Sequence, residues 1–174
     1  MDFVQKKSYN EEDIKNLGLD VGMLGENAPK FPKDNMCMVS RITEVSAKGG
    51  KYGNGYVEAE LDITPDLWFF DCHFLGDPVM PGCLGLDALW QLMGFYLGWS
   101  GGKGRGRALG VKDLRFTGQI LPDAKRIVYK VNMSKVYDGK LHMGVADAVV
   151  ELDDKVIYNA SQLKVCLMKD TADF

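Results

Sequence analysis

The chain has 174 residues, enough for one domain with a sizeable core. Hydrophobic residues make up 46% and charged residues 26%, the balance of an ordinary soluble globular protein. The net charge of −3 argues against a general nucleic-acid binder, which needs concentrated Lys and Arg.

No basic stretch precedes an apolar run at the amino terminus, so the sequence reads as lacking an export signal. Ser8 and Glu11 form a capping box and Gly18 is a natural stop, which predicts a short helix from Tyr9 to Leu17. Leu19 to Asn35 reads as an irregular arm, giving an amino-terminal helix and arm over residues 1–35. Strands are expected at Met36 to Val45 and Tyr56 to Ile63, where Tyr56, Glu58 and Glu60 alternate with Val57, Ala59 and Leu61. The intervening KGGKYGNG (Lys48 to Gly55) is turn chemistry; no helix follows it, as a phosphate loop would need.

A central helix is expected over residues 81–97, with Pro81 in its first turn and Gly98 at its end, followed by a loop from Gly101 to Gly106. Four further strands follow: Ala108 to Thr117, Ile127 to Val136, Leu141 to Leu152 and Val156 to Met168. Asp138-Gly139 and Asp153-Asp154 read as hairpin turns. Asp87, Gln91 and four glycines argue against the central helix lying in lipid. A helix apolar on all sides needs a sheet wrapped round it, so residues 1–174 are expected as one α+β domain. One sheet cannot cover such a helix, which points to a second subunit.

The chemistry concentrates between Trp68 and Trp99. His73 lies in an aromatic stretch, and Asp87 and Gln91 share a face of the central helix four residues apart. The Gln91 amide can donate to the Asp87 carboxylate and orient it. The Gly82 and Cys83 N–H groups, in the unpaired first turn, can hold an oxyanion. His73 supplies a base that exchanges protons near neutral pH, although an isolated His in an apolar run also fits a core histidine bonded to a carbonyl. The nearby acid favours chemistry. A metal site on Cys72, His73 and Cys83 lacks zinc-ligand spacing, and no evident base activates Cys83 as a nucleophile. Cys37, Cys72, Cys83 and Cys166 contain no CxxC pair and read as reduced thiols of a cytoplasmic protein. His142 alternates like a structural or exposed strand residue, and Trp90, Met93, Phe95 and Tyr96 read as core that also offers walls for an acyl pocket.

The run DLWFFDCHFLGDPVMPGCLGLDALWQLMGFYLGW closely resembles the bacterial 3-hydroxydecanoyl-acyl carrier protein dehydratase/isomerases. The likeness extends through SYNEEDI, GRALGV, FTGQILP and YNASQLK. It implies a hot-dog fold, a curved antiparallel sheet around one long helix, in a homodimer whose active sites are shared across the interface. By motif match, His73 takes the catalytic histidine position and Asp87 the catalytic aspartate position, acting from opposite subunits. Gly82 matches the oxyanion donor, Val79 the carbonyl that orients the histidine, and Gln91 the partner of the aspartate. The resemblance implies dehydration of (3R)-hydroxyacyl-acyl carrier protein and isomerisation of trans-2-decenoyl to cis-3-decenoyl thioester, in unsaturated fatty acid synthesis. Burial is expected to keep Asp87 protonated, and no metal or organic cofactor is needed. Monofunctional dehydratases carry Glu where this chain has Asp87; a hot-dog acyl-thioesterase and a non-catalytic binding module are the other readings. Lys135, Lys140 and Lys164 are expected to meet the acidic carrier protein, with Gly139 standing where some relatives carry Arg.

Overall fold

The computed structural model describes residues 5–19, 23–139 and 141–169. The first elements are held by local capping and by an early pairing. Helix α1 (Glu11–Leu17) starts at Asn10, whose side chain accepts the Asp13 N–H at 2.9 Å while Asp13 accepts the Asn10 N–H at 3.1 Å. The box is therefore Asn10 and Asp13, not Ser8 and Glu11. Tyr9 is not helical because its peptide exchanges two hydrogen bonds with Ile42, both 2.9 Å, and Lys7 accepts from Val45. An extended segment docked on a strand cannot also open a helix.

Strand β1 (Arg41–Ser46) begins five residues later than Met36, which instead lies in a 3-10 turn, Asp34–Met36. Strand β2 (Tyr56–Asp62) buries Val57, Ala59 and Leu61, as their alternation requires. Helix α2 (Trp68–Cys72) has no counterpart in the sequence expectations. Five residues are too few to show a helical period, and it forms because Phe69 and Phe70 turn together into the core. Helix α3 runs from Gly82 to Trp99 with Pro81 as its N-cap. Gly98 does not stop it: that glycine is a packing site, since a Cβ there would lie 2.7 Å from Pro29 Cδ.

The expected strand from Ala108 to Thr117 is two strands, β3 (Arg105–Gly110) and β4 (Asp113–Phe116). Gly110, at φ +150°, takes the chain out of the sheet between them. Strands β5 (Arg126–Tyr137), β6 (His142–Leu152) and β7 (Lys155–Met168) are long and antiparallel. Asp153 and Asp154, both at positive φ, make the β6–β7 turn; the Asp138-Gly139 turn adjoins Lys140, outside the described residues.

The sheet order is β1-β2-β5-β6-β7-β3, with β4 also paired to β7. α3 lies against it, and Leu84, Ala88, Leu89, Leu92 and Met93 are buried there. This is the α+β hot-dog arrangement. The helix is not hidden all round, however: Leu86, Asp87, Trp90, Gln91 and Gly94 are only half-buried. β3 stands at the end of the sheet order with five of its six residues exposed.

Candidate active site

The histidine half is built from a short loop with its own hydrogen bonds. His73 caps the C-terminus of α2, and its peptide N–H reaches Phe69 O at 2.9 Å. Phe74 and Asp77 exchange backbone bonds of 2.8 and 3.0 Å, which folds the chain back so that Val79 N–H donates to His73 O at 2.8 Å. The Val79 carbonyl in turn lies 2.8 Å from His73 Nδ1. A carbonyl only accepts, so Nδ1 carries the proton and Nε2 is the lone-pair nitrogen of the neutral ring. The ring packs on Phe74, 3.7 Å between centroids, and the His73–Phe74 peptide bond is cis.

Val79 leads through Met80 and Pro81 to the start of α3. Pro81 O accepts the Leu84 N–H at 3.0 Å, while the Gly82 and Cys83 N–H groups have no carbonyl four residues back within the helix. Pro81 has no side-chain cap to offer them, so they form the positive end of an 18-residue helix. The Cys83 side chain is exposed.

Asp87 and Gln91 meet as their spacing predicts: Gln91 Nε2 donates to Asp87 Oδ2 at 2.6 Å. The same amide nitrogen donates to Met36 O at 2.7 Å, and Gln91 Oε1 accepts the Met38 N–H at 3.1 Å. The Met36–Met38 backbone therefore locks the amide that orients the acid, a contact across 53 to 55 residues that no local pattern announces. Between these peptides Cys37 donates to Val39 O, and burial pushes its thiol up, away from thiolate chemistry.

Asp87 itself is half-buried in one chain, not enclosed. It lines a groove of about 220 Å³ between α3, the amino-terminal arm and β3, with Phe31, Trp90, Gln91, Phe95 and Ala108. Trp90 Nε1 is buried there with no hydrogen-bond partner among the described residues. The acid lies on the helix edge that the sheet of its own chain does not reach, so the expected burial is absent from a single protomer. Among the described residues no hydrogen bond or ion pair joins His73 to Asp87, and His73 does not line the groove.

Cys72, His73 and Cys83 form no metal cluster; among the described residues no three His, Cys, Asp or Glu side chains are so grouped. His142 pairs with Asp138 at 3.2 Å. Lys135 and Lys164 are exposed and share the outer face of the sheet, each opposite Val145 of β6; Lys140 lies outside the described residues. A second basic feature escaped the sequence reading. Lys30, Lys103, Arg105, Arg107 and Lys169 line a cavity of about 740 Å³, assembled from three distant segments. It shares Lys30, Gly106 and Arg107 with the Asp87 groove, so the two adjoin. No helix among the described residues is long and apolar enough to cross a membrane.

Residues 31–161 match the model of the FabA-like domain. The chain belongs to that family. Solved structures similar to this FabA-like chain include the dehydratase heterocomplex ApeI:P of Xenorhabdus doucetiae, at TM-score 0.62 and 15% identity over 80% of this chain and 88% of that one. The thioesterase HI1161 of Haemophilus influenzae follows at 0.54 and 12%, covering 96% of each chain. An uncharacterized protein of Pyrococcus horikoshii gives 0.52 and 11%, over 79% and 88%. At these identities the likeness is one of fold, and it agrees with the hot-dog architecture.

Proposed function

We propose that this FabA-like protein dehydrates (3R)-hydroxyacyl thioesters to trans-2-enoyl thioesters and shifts the double bond of the ten-carbon product to cis-3. The observation that carries the reading is the hydrogen bond from His73 Nδ1 to Val79 O, 2.8 Å, because it leaves Nε2 of a neutral imidazole as a base.

In this reading the thioester oxygen lies on the Gly82 N–H, with Cys83 N–H beside it. His73 Nε2 removes a proton from C2, and the electron pair moves into an enolate held by the amide. Re-formation of the carbonyl then expels the C3 hydroxyl, which Asp87 protonates so that it leaves as water. Isomerisation removes a C4 proton and returns one to C2. Gln91 holds the acid in place throughout. Neither step changes oxidation state overall, so acid–base groups and an amide suffice.

Asp87 would work in a homodimer, where a second copy covers its groove and brings His73 to it. The unpaired edge of β3 and the half-buried face of α3 support that arrangement, since an open strand edge beside apolar surface is a natural pairing site. A thioester arriving on an acidic carrier would meet Lys135, Lys140 and Lys164, or the cationic cavity that adjoins the groove.

The test is product analysis with 3-hydroxydecanoyl thioester. Appearance of enoyl absorbance with intact thioester is the expected result. Release of free thiol without enoyl product would point to a thioesterase, and trans-2 product with no cis-3 to a dehydratase alone. Binding without turnover would overturn both.

A further inference from the structure

The FTGQI segment, Phe116 to Ile120, reaches both the histidine loop and the first turn of α3. At one end Ile120, fully buried, accepts the Met80 N–H at 3.0 Å, next to the Val79 that holds His73. At the other end the Phe116 ring rests on Gly82: a Cβ added there would lie 2.9 Å from Cζ and 3.1 Å from both Cε atoms. Between them, Thr117 N–H donates to Ile157 O at 2.8 Å, and its hydroxyl reaches the same carbonyl at 3.2 Å. The segment is thus anchored to β7 while it spans the Val79–Gly82 stretch.

A second ring backs the first. Phe116 and Tyr158 are register partners on β4 and β7, and their rings meet edge to face at 4.6 Å. Tyr158 lies on Gly85, one helical turn beyond Gly82, where an added Cβ would come within 2.4 Å of its Cε2. Two glycines on one helix face therefore seat two aromatic rings. Phe116 is 50% exposed, so full burial of its ring is not what places it there.

We propose that Phe116–Ile120 is the template that sets the spacing between the His73 ring and the Gly82 amide, with Phe116 as a positioning residue. The inference rests on the dehydratase reading, in which both groups act on the same thioester. Val79, Met80, Pro81 and Gly82 form one side of a closed circuit and Ile120 back to Phe116 the other. Contacts at both ends stop the start of α3 from swinging relative to the histidine. Removing the ring frees that motion without touching either reacting group, and displacements of about 1 Å cost on the order of a hundredfold in rate.

Steady-state kinetics on 3-hydroxydecanoyl thioester tests this. Phe116→Ala lowers kcat by about ten- to a hundredfold, with KM within about twofold and folded content by circular dichroism unchanged. Phe116→Tyr restores the rate. Gly82→Ala is impaired, and adding Phe116→Ala to it recovers part of the loss because the new methyl gains room. A Phe116→Ala rate within about twofold of wild type overturns the template, as does a rate that falls only in step with folded protein. Wild type inactive on every hydroxyacyl thioester overturns the dehydratase reading instead. The Gly82 amide and His73 ring nitrogen resonances then report the spacing: both shift in Phe116→Ala and hold in Phe116→Tyr, and unmoved signals overturn it.

Discussion

The two halves of the candidate site are built differently. His73 is held by a loop that closes on itself, every bond falling within residues 69 to 79 and its outer end tied to Ile120. Asp87 is oriented as firmly, through Gln91 and the Met36–Met38 backbone, but its surroundings are unfinished: a groove open to solvent beside the edge strand β3. One chain thus prepares a base completely and an acid only in orientation. Only another surface can close that groove. On the proposed reading, that contrast gives a second copy a part in the chemistry as well as in the assembly.

Asp87→Asn tests the contrast most severely. On the proposed reading this removes the proton donor, and the expected result is a loss of dehydration of about a thousandfold, within the usual range for a general acid, with a dimer still seen on size exclusion. Mixed with the His73→Ala variant it is expected to regain activity, since in the proposed homodimer each hybrid would hold one intact base and one intact acid in the same site. No recovery after verified subunit exchange would place both groups in one chain and erase the difference between the halves.

Gln91→Ala sharpens it. The carboxylate stays but loses its 2.6 Å donor, and the Met38 N–H and Met36 O lose their partner. The expected drop in kcat is about tenfold, with the His73 ring resonances unmoved. Shifted His73 resonances would mean that the two halves are coupled through one chain after all.

The smallest effect concerns the ring behind Gly85. Burial first, and Cys83 second, push the Tyr158 phenol up to about 12 from an ordinary value of 10.0. The folded protein holds that proton more tightly than the unfolded chain does. Its contribution is therefore present below pH 10.0 and lost as pH rises through about 12. Tyr158→Phe should flatten that alkaline loss in urea titrations at a series of pH values. Tyr129, also pushed up by burial, retains part of it. An unchanged slope would show that Tyr158 is not the group responsible.

Much of the fold was legible because its signals are local. The β2 alternation, the length of α3 and the turn at Asp153-Asp154 each depend on a few neighbouring residues, and each formed close to where the pattern placed it. The errors came where a distant partner overrode a local preference. Tyr9 left its expected helix to pair with Ile42, Met36 left its expected strand for the turn beside Gln91, and Gly98 was a seat for Pro29 rather than a stop. Within one chain Asp87 is only half-buried, because helical periodicity says which residues share a face, not which surface covers it.

The pair within one helix was determined by the sequence alone: Asp87 and Gln91 sit at a separation that helix geometry closes without help, whereas the Val79 carbonyl on His73 was legible only through the family resemblance. Only the tertiary structure decided what lies behind them: Met36 to Met38 on Gln91, Phe116 on Gly82, and five cations gathered beside the groove. Those contacts join segments whose approach is set by the packing of the sheet on α3, a global outcome that no short stretch of residues encodes.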